Sequence, residues 1–374
     1  MDGDFMAAMR RTLDLTKSGD LGAATREIQA ALSGGGDAPR AEAVADPGPK
    51  PKPKRTGATA PEVEDAEIVD ETPPRRRARK PLGATLDSLR ARSRATGGSM
   101  PDLADVAVWE RRRHAGRFGA RDVRVHIPAS VAAEGAAGVI VMLHGCTQTP
   151  EDFAIGTAMG RQAEDHRLVV AYPAQDRAAN AQGCWAWFQP AEQGRGGESA
   201  LIAELAGQIA TEFSVPDGRV FVAGLSAGGA MAAVTAAAHP EVFRAAGVHS
   251  GLAPGAARDM VSAFAAMRGD GSAAQPGPTT SMILFHGDAD RTVAPAAADW
   301  GTRDLDAPAT DAPAGHGRRV RRTVGRTMAG GAVEVWRIAG AGHAWSGGDP
   351  RGSYADAAGP DASAEMVRFF LGLS

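Results

Sequence analysis

The sequence predicts an α/β fold with a mostly parallel central sheet, and three observations carry that prediction. Short apolar runs recur through residues 118–374, as expected of strands that are buried on both faces. Helical stretches at 198–213 and 227–238 lie between them. Strands that alternate with helices form parallel sheets joined by right-handed crossovers. The carboxyl ends of such strands share one edge of the sheet, which is where ligands of these folds bind.

Seven apolar runs are assigned as strands of this sheet. In chain order they cover residues 123–127, 138–143, 168–172, 220–223, 246–249, 282–285 and 333–338. We expect helices on both faces of the sheet, ending with an amphipathic helix close to the C-terminus. Residues 253–280 and 301–330 carry no pattern clear enough to assign, although they would shape a pocket beside the strand ends.

The chain before residue 118 differs in composition. Two apolar stripes separated by Ser18-Gly19-Asp20 predict a helical hairpin over residues 1–33, with a weakly structured amphipathic tail as the alternative. Residues 34–117 are predicted to be a charged linker and transitional segment. A proline-lysine repeat and blocks of like charge there offer too little apolar surface to offset the entropy of ordering. The main folded domain is accordingly assigned to residues 118–374.

Bulk properties exclude several classes of protein. A net charge of -3 over 374 residues gives no electrostatic reason to expect a nucleic acid partner. No apolar run approaches the ~20 residues of a membrane-spanning helix, and the N-terminus lacks the apolar core of a secretory signal. The spacing of the two cysteines matches no zinc-binding pattern, so no metal site is expected. A cytoplasmic location is the resulting prediction.

Gly224-Leu225-Ser226-Ala227-Gly228 fits the pattern G-x-S-x-G, which alone is a weak signal. Its context strengthens it, because an apolar run leads into the pattern and an alanine-rich helix leads out. A serine at the apex of a strand-to-helix turn is the arrangement of a nucleophile elbow. The backbone N–H of Ala227 would then point at the negative oxygen that develops when Ser226 attacks a carbonyl.

A serine nucleophile needs a base, and in this arrangement an acid and then a histidine follow the serine along the chain. His343 lies in a glycine-flanked turn directly after a predicted strand, and we assign it as the base. Asp290 also follows a predicted strand and is assigned as the acid that orients the base, with Asp288 as the alternative. His249 and His286, at strand ends, are interpreted as supporting residues.

A second donor to the negative oxygen should come from the loop after an early strand. His144-Gly145-Cys146-Thr147 occupies that place. The backbone N–H of Cys146, or that of its neighbour Thr147, can therefore act together with that of Ala227. Two fixed donors in such a position are typically worth several kcal/mol of barrier.

Together these motifs resemble the polyhydroxybutyrate depolymerase family of esterases, which includes members similar to feruloyl and acetylxylan esterases. The resemblance covers residues 118–374 and rests on segments 143–149, 183–188, 224–229, 286–293 and 342–348. It implies an α/β-hydrolase fold and hydrolysis of carboxylic esters without a cofactor. It also implies a catalytic triad of Ser226, Asp290 and His343, with Cys146 and Ala227 as oxyanion donors.

The resemblance implies further features of the site. In related enzymes the cysteines of two of these motifs can be linked, which would bring Cys146 and Cys184 together. A disulfide would be unusual in a reducing cytoplasm, and both states stay open. Trp185, Trp187 and Trp345 are candidate walls of an acyl or aromatic pocket, with ordinary core packing as the alternative.

The substrate is less sharply indicated than the reaction. Secreted polymer-degrading relatives usually carry a separate substrate-binding module, whereas the appendage seen here is N-terminal. Hydroxyalkanoate oligomers or other small esters are therefore expected rather than crystalline polymer. Three alternatives stay open: an esterase of feruloyl or acetylxylan type, a serine peptidase of the same fold, and a binding protein that acts through residues 1–80. That N-terminal region is also a candidate contact for a protein partner or a storage granule.

Overall fold

The computed structural model describes residues 107–271, 275–305, 309–312 and 317–373. The predicted hairpin at residues 1–33 and the linker up to residue 106 lie outside these ranges. Within them, no helix is long and apolar enough to cross a bilayer, and no three potential metal ligands cluster together.

Ten strands of the described chain form one sheet, and two further short strands pair separately. The strands are β1 (Ala107–Gly116), β2 (Gly119–Pro128), β3 (Gly138–Leu143), β4 (Leu168–Pro173), β5 (Val220–Leu225), β6 (Ala245–His249), β7 (Ser281–Gly287), β8 (Ala309–Ala312), β9 (Val320–Arg326), β10 (Ala332–Ile338), β11 (Trp345–Ser346) and β12 (Ala355–Asp356). The helices are α1 (Val131–Glu134), α2 (Pro150–Thr157), α3 (Met159–His166), α4 (Gly197–Glu212), α5 (Ala227–Ala238), α6 (Met260–Met267) and α7 (Ala362–Leu371), with 3-10 turns at Pro190–Glu192 and Pro295–Thr302.

The large sheet has the strand order β1-β2-β4-β3-β5-β6-β7-β10-β9-β8. Its six central strands run parallel from β4 to β10. Antiparallel strands flank them, namely β2 and β1 beyond β4, and β9 and β8 beyond β10. All six central strands therefore present their carboxyl ends at one edge of the sheet.

Successive side chains of each central strand point to opposite faces of the sheet, so there is a hydrophobic core on both faces. In β3, Val139, Val141 and Leu143 belong to one buried cluster, while Ile140 and Met142 belong to the other. Side chains of α4, α5 and α6 complete the first cluster. Side chains of α2, α3 and α7 complete the second. Helices on both faces explain why these strands are apolar throughout rather than at every second residue.

The seven predicted strands are all present, as β2 to β7 and β10. Three strands of the sheet were not predicted. β1 lies in the segment that the sequence assigned to the linker, because its central residues Glu110–Arg113 are charged and gave no apolar run. β8 and β9 fall in the unassigned segment 301–330, and β9 carries three arginines on a partly exposed strand.

Candidate active site

The strand order changes direction at β3, because β4 lies on one side of β3 and β5 lies on the other. At such a switch point a crevice opens beyond the carboxyl ends of two strands, and ligands of open α/β sheets bind there. The register pairs Leu143 with Gly224, so the segments that leave the two strands begin side by side. They are residues 144–149, here called the β3 loop, and the turn at Ser226.

Ser226 occupies a strained turn between β5 and α5. Its φ of 58° and ψ of -121° lie in a region that residues with side chains rarely adopt. The Ser226 N–H donates to the His249 carbonyl at 2.8 Å, and the Ser226 carbonyl accepts from the Ala230 N–H at 2.9 Å. Glycine is required at position 228, since a Cβ there would lie 2.0 Å from the Leu143 carbonyl oxygen. The turn thus holds a half-buried serine at the end of β5.

His343 and Asp290 are joined by a hydrogen bond of 2.7 Å between imidazole Nδ1 and carboxylate Oδ2. Because a carboxylate only accepts, Nδ1 carries the proton. The other carboxylate oxygen accepts the N–H groups of Thr292 and Val293, each at 2.9 Å. The Asp290 side chain has no exposed surface, and that of His343 is 10% exposed. This arrangement leaves Nε2 of His343 as the nitrogen that can accept a proton.

The environment of Asp290 keeps its carboxylate charged. Burial by itself raises the pKa of Asp290, but the hydrogen bond and charge of His343 and the two backbone donors outweigh burial, so the pKa lies below its usual value. Asp288, the alternative acid, is engaged elsewhere, because its Oδ1 accepts the Gly340 N–H at 2.6 Å. The geometry therefore favours Asp290 as the partner of His343.

Two buried histidines, His249 and His286, form hydrogen bonds to the loops that carry the base and the acid. Nε2 of His249 accepts the Ser346 N–H at 3.0 Å, and the His249 carbonyl holds Ser226, so this residue links the serine turn to the loop that carries the base. His286 Nε2 lies 2.9 Å from the Val293 carbonyl and steadies the loop that carries the acid. Burial lowers the pKa of His249 to about 3 and that of His286 to about 4. Both rings are consequently neutral at pH 7.

Two backbone N–H groups beside Ser226 have no hydrogen-bond acceptor in the described part of the chain, those of Cys146 and Ala227. The N–H of Thr147, the alternative donor, is already bound by the Gln182 carbonyl at 2.7 Å. A Cβ on Gly145 would lie 3.6 Å from the Ser226 Cβ, so the β3 loop runs directly beside the serine. The two free donors are suited to a negative oxygen that forms on a carbon bonded to Ser226.

The β3 loop is tied to residues 183–188 at two points. Cys146 and Cys184 form a disulfide, which is one of the two states that the sequence left open. The indole N–H of Trp185 donates to the His144 carbonyl at 3.1 Å. These ties hold the backbone on both sides of the Cys146 N–H.

The three tryptophans that were candidate pocket walls are all buried. Trp185 is 0% exposed, Trp187 is 4% exposed and Trp345 is 1% exposed. Trp187 packs edge-on against Phe188, and the Trp345 indole donates to the Ser363 hydroxyl at 3.1 Å. Their observed contacts are those of core residues, and a role in binding substrate stays a prediction.

Tyr354 lies beside the site and was missed from the sequence. Its ring is edge-on to the His343 ring, with the centroids 6.4 Å apart, and it is 47% exposed. Its φ of 51° is unusual for a bulky residue. The preceding Ser353 is held by Gln148, whose Nε2 donates to the Ser353 carbonyl at 3.2 Å and whose Oε1 accepts the Gly145 N–H at 2.9 Å. No sequence signal marks Tyr354, because it lies in an irregular segment.

Comparisons with known proteins show that the chain is similar to esterases. Residues 123–320 match the family described as esterase PHB depolymerase. Poly(3-hydroxyalkanoate) depolymerase C of Paucimonas lemoignei is 35% identical over 188 residues, which cover 46% of this chain and 44% of the relative. Feruloyl esterase B of Neurospora crassa is 34% identical over 130 residues, which cover 34% of this chain and 43% of the relative. The chain thus spans less than half the length of these two curated relatives.

The solved structures give the fold. The acetyl xylan esterase from Aspergillus awamori superposes with a TM-score of 0.52 at 20% identity, covering 70% of this chain and 99% of that one. At this identity the likeness shows the fold alone, and it confirms the predicted α/β-hydrolase architecture. The family match extends over more than half of the chain and includes the β3 loop, Ser226 and Asp290. The chain therefore belongs to the esterase PHB depolymerase family.

Proposed function

We propose that the protein is a serine carboxylic-ester hydrolase that works through an acyl-enzyme. The observation that carries the proposal is the 2.7 Å hydrogen bond from His343 to Asp290, located at the same sheet edge as the strained Ser226. Family membership supports the same reaction. A serine hydroxyl is a poor nucleophile by itself, and an oriented neutral imidazole is the group that activates it.

The proposed reaction has two halves. Ser226 Oγ attacks the ester carbonyl carbon while Nε2 of His343 takes the hydroxyl proton. The tetrahedral oxyanion accepts hydrogen bonds from the N–H groups of Cys146 and Ala227. Its collapse breaks the ester C–O bond, and the departing alkoxide takes the proton from His343. Water then gives a proton to His343 and attacks the acyl carbon, which releases the carboxylic acid and restores the Ser226 hydroxyl.

The proposed substrates are hydroxyalkanoate oligomers or other small esters. This follows the relative named poly(3-hydroxyalkanoate) depolymerase C. An esterase of feruloyl or acetylxylan type is the alternative, since relatives with those names also match. Comparing kcat/KM for hydroxybutyrate oligomers, methyl ferulate and acetylated xylo-oligosaccharides decides between them. A preference of tenfold or more for methyl ferulate or for the acetylated xylo-oligosaccharides would replace the first assignment with the second.

Turnover of p-nitrophenyl acetate tests the reaction itself. We expect Ser226→Ala to lose at least about a thousandfold in kcat, because no other group can form the acyl intermediate. Ser130→Ala is the matched control, since the Ser130 hydroxyl caps no backbone group. Wild-type turnover by Ser226→Ala would refute the proposal.

The two rival functions give different results in the same assays. A serine peptidase of this fold would cleave a p-nitroanilide of the same acyl group at a comparable rate, whereas an esterase should cleave it far more slowly. A binding protein that acts through residues 1–80 would show no turnover that depends on Ser226. A pull-down with the full chain and with a chain lacking residues 1–80 tests the proposed N-terminal contact with a partner or granule.

The cytoplasmic location stays a prediction, and the disulfide bears on it. Structural disulfides are rare in reducing compartments, so the Cys146–Cys184 bridge favours a compartment that keeps thiols oxidised. Alkylating the protein taken directly from its own cells and then measuring its mass distinguishes a reducing compartment from an oxidising one. Two alkylated cysteines would support the cytoplasm, and none would support an oxidising compartment.

A further inference from the structure

A buried glutamate lies beneath the β3 loop, outside the proposed triad. Glu198 is the second residue of α4 and is 7% exposed. One carboxylate oxygen accepts the Ala186 N–H at 2.8 Å. The other accepts the side-chain amide of Gln175 and lies 3.2 Å from the Arg121 guanidinium. A buried carboxylate is costly unless it is hydrogen-bonded. The three donors compensate for its burial, so Glu198 holds Ala186, Gln175 and Arg121 in fixed positions.

Gln175 carries the arrangement from Glu198 to the β3 loop. Its amide nitrogen has two hydrogens, one directed to Glu198 and the other to the Cys184 carbonyl at 3.0 Å. Its backbone N–H donates to Nε2 of His144 at 3.1 Å. Because Nε2 of His144 is thereby an acceptor, Nδ1 holds the proton and donates to the Gly145 carbonyl at 2.8 Å. The bonds to Glu198, His144 and the Gly145 carbonyl are buried, and the bond to the Cys184 carbonyl is partly buried.

The chain of bonds ends on both sides of the Cys146 N–H. The Gly145 carbonyl, in the peptide that contains this N–H, is held by His144. Cys184, the disulfide partner of Cys146, is held by Gln175 through its carbonyl. Glu198 also holds the backbone next to Trp185, whose indole binds the His144 carbonyl.

We infer that Glu198 is a positioning residue for the proposed oxyanion hole. It touches neither substrate nor reacting atoms, and it acts by fixing the direction of the Cys146 N–H through Gln175 and residues 184–186. The inference rests on the proposed function. Its consequence is that the charge and length of Glu198 affect kcat more than KM, because the oxyanion donors act on the transition state.

The hydrogen bonds of Glu198 depend on its carboxylate form. Burial, helped by the Glu192 carboxylate, raises the pKa of Glu198 above its usual value, although the Ala186 N–H, the Gln175 amide and Arg121 each act to lower it. The carboxylate form accepts all three donors. Glutamine at position 198 would turn an NH2 group either towards the Ala186 N–H or towards both the Gln175 amide and the Arg121 guanidinium, so at least one donor would face another donor.

The test compares Glu198→Gln with Glu204→Gln, measured as kcat and KM for p-nitrophenyl acetate. Glu204 is on the same helix but contacts Arg117 and His114, away from the β3 loop. We expect Glu198→Gln to lose between about 10-fold and 100-fold in kcat with KM within about twofold, because a displacement near 1 Å is worth up to about 100-fold. Glu198→Asp, which keeps the charge, should recover part of the loss. Glu204→Gln should equal the wild type.

A trifluoromethyl ketone separates positioning from general support of the fold. It forms a tetrahedral oxyanion on the serine, so its affinity should fall in proportion to kcat/KM in Glu198→Gln. A kcat equal to that of Glu204→Gln, or a ketone affinity that stays at the wild-type value while kcat falls, would overturn the inference. If Glu198→Gln does not fold, Gln175→Met removes the same link while Glu198 keeps Arg121. The same loss of kcat is then expected, and a wild-type kcat would overturn the inference.

The outcome is separable from the proposed function. A wild-type enzyme without esterase activity, or full activity in Ser226→Ala, would refute the function and this inference with it. Normal dependence on Ser226 together with an unaffected Glu198→Gln would refute only the role of Glu198.

Discussion

Replacing Asp290 by asparagine exchanges one carboxylate oxygen for an amide nitrogen with almost no change in size. The N–H groups of Thr292 and Val293 both need an acceptor, and each lies 2.9 Å from Oδ1 of Asp290. The amide oxygen of asparagine therefore takes that position, which turns its NH2 group towards Nδ1 of His343. Nδ1 must then be an acceptor, so the imidazole moves its proton to Nε2. In that tautomer His343 cannot take the proton from Ser226.

The expected loss is large because the bond is short and buried. The His343–Asp290 distance is 2.7 Å, and the Asp290 side chain has no exposed surface. The replacement removes both the correct tautomer and the charge that stabilises the imidazolium. The same exchange in serine proteases costs about 10⁴ in kcat, which corresponds to about 5 kcal/mol of barrier. KM should change little, because neither residue supplies ground-state binding.

The assay is kcat and KM for p-nitrophenyl acetate at pH 7, with Asp288→Asn as the matched control. Oδ1 of Asp288 accepts the Gly340 N–H, and asparagine can keep that bond, so the control should stay within about threefold of wild type. An Asp290→Asn enzyme that retains more than a tenth of the wild-type kcat would show that Asp290 does not set the tautomer of His343. So would a greater loss in the Asp288 variant than in the Asp290 variant.

Three further predictions concern stability. Gly228→Ala places a Cβ 2.0 Å from a backbone carbonyl oxygen and should lower the free energy of unfolding by about 3 kcal/mol or more in urea titrations. Gly207→Ala, whose Cβ meets nothing within 4 Å, should raise it by up to about 1 kcal/mol. Equal effects of the two substitutions would contradict this prediction. Cys184→Ser removes a disulfide with a sequence separation of 38 and should lower the free energy of unfolding by about 4 kcal/mol and also lower kcat. Reducing the wild type with dithiothreitol should have the same effects. An unchanged Tm would contradict this prediction. His249 and His286 have pKa values of about 3 and about 4 when folded but near 6.5 when unfolded. The unfolded chain therefore binds more protons below pH 6.5, and the free energy of unfolding should fall by about 1.4 kcal/mol per pH unit for each as the pH drops towards 4. His249→Gln should make that decline shallower, and a flat wild-type profile would contradict the argument.

The central strands were predictable because burial on both faces leaves a strong mark on the sequence. Residues 138–143 are all buried in β3, and an unbroken apolar run is the sign of that environment. The serine turn was predictable for a related reason. Gly224 and Gly228 contact backbone atoms so closely that only glycine fits, so the requirement of the turn appears directly as a motif.

The features that could not be predicted from the sequence depend on contacts between distant segments of the chain. β1 is charged because much of it is exposed, and its membership in the sheet depends on pairing with β2. Glu198 reads as an ordinary residue near the start of an amphipathic helix, and only the folded chain brings it to Gln175. Tyr354 meets His343 through a loop held by Gln148. In each case the partner is set by the tertiary fold, which local patterns do not encode.

In the proposed mechanism, Ser226 is the residue that becomes acylated. Labelling the full chain with a fluorophosphonate, followed by intact mass and peptide mapping, tests it most directly. One adduct per chain on Ser226 is predicted, absent in Ser226→Ala and formed at least about 100-fold more slowly in His343→Ala. An adduct on another residue, or no adduct under conditions that fully label an active esterase control, would rule out Ser226 as the nucleophile.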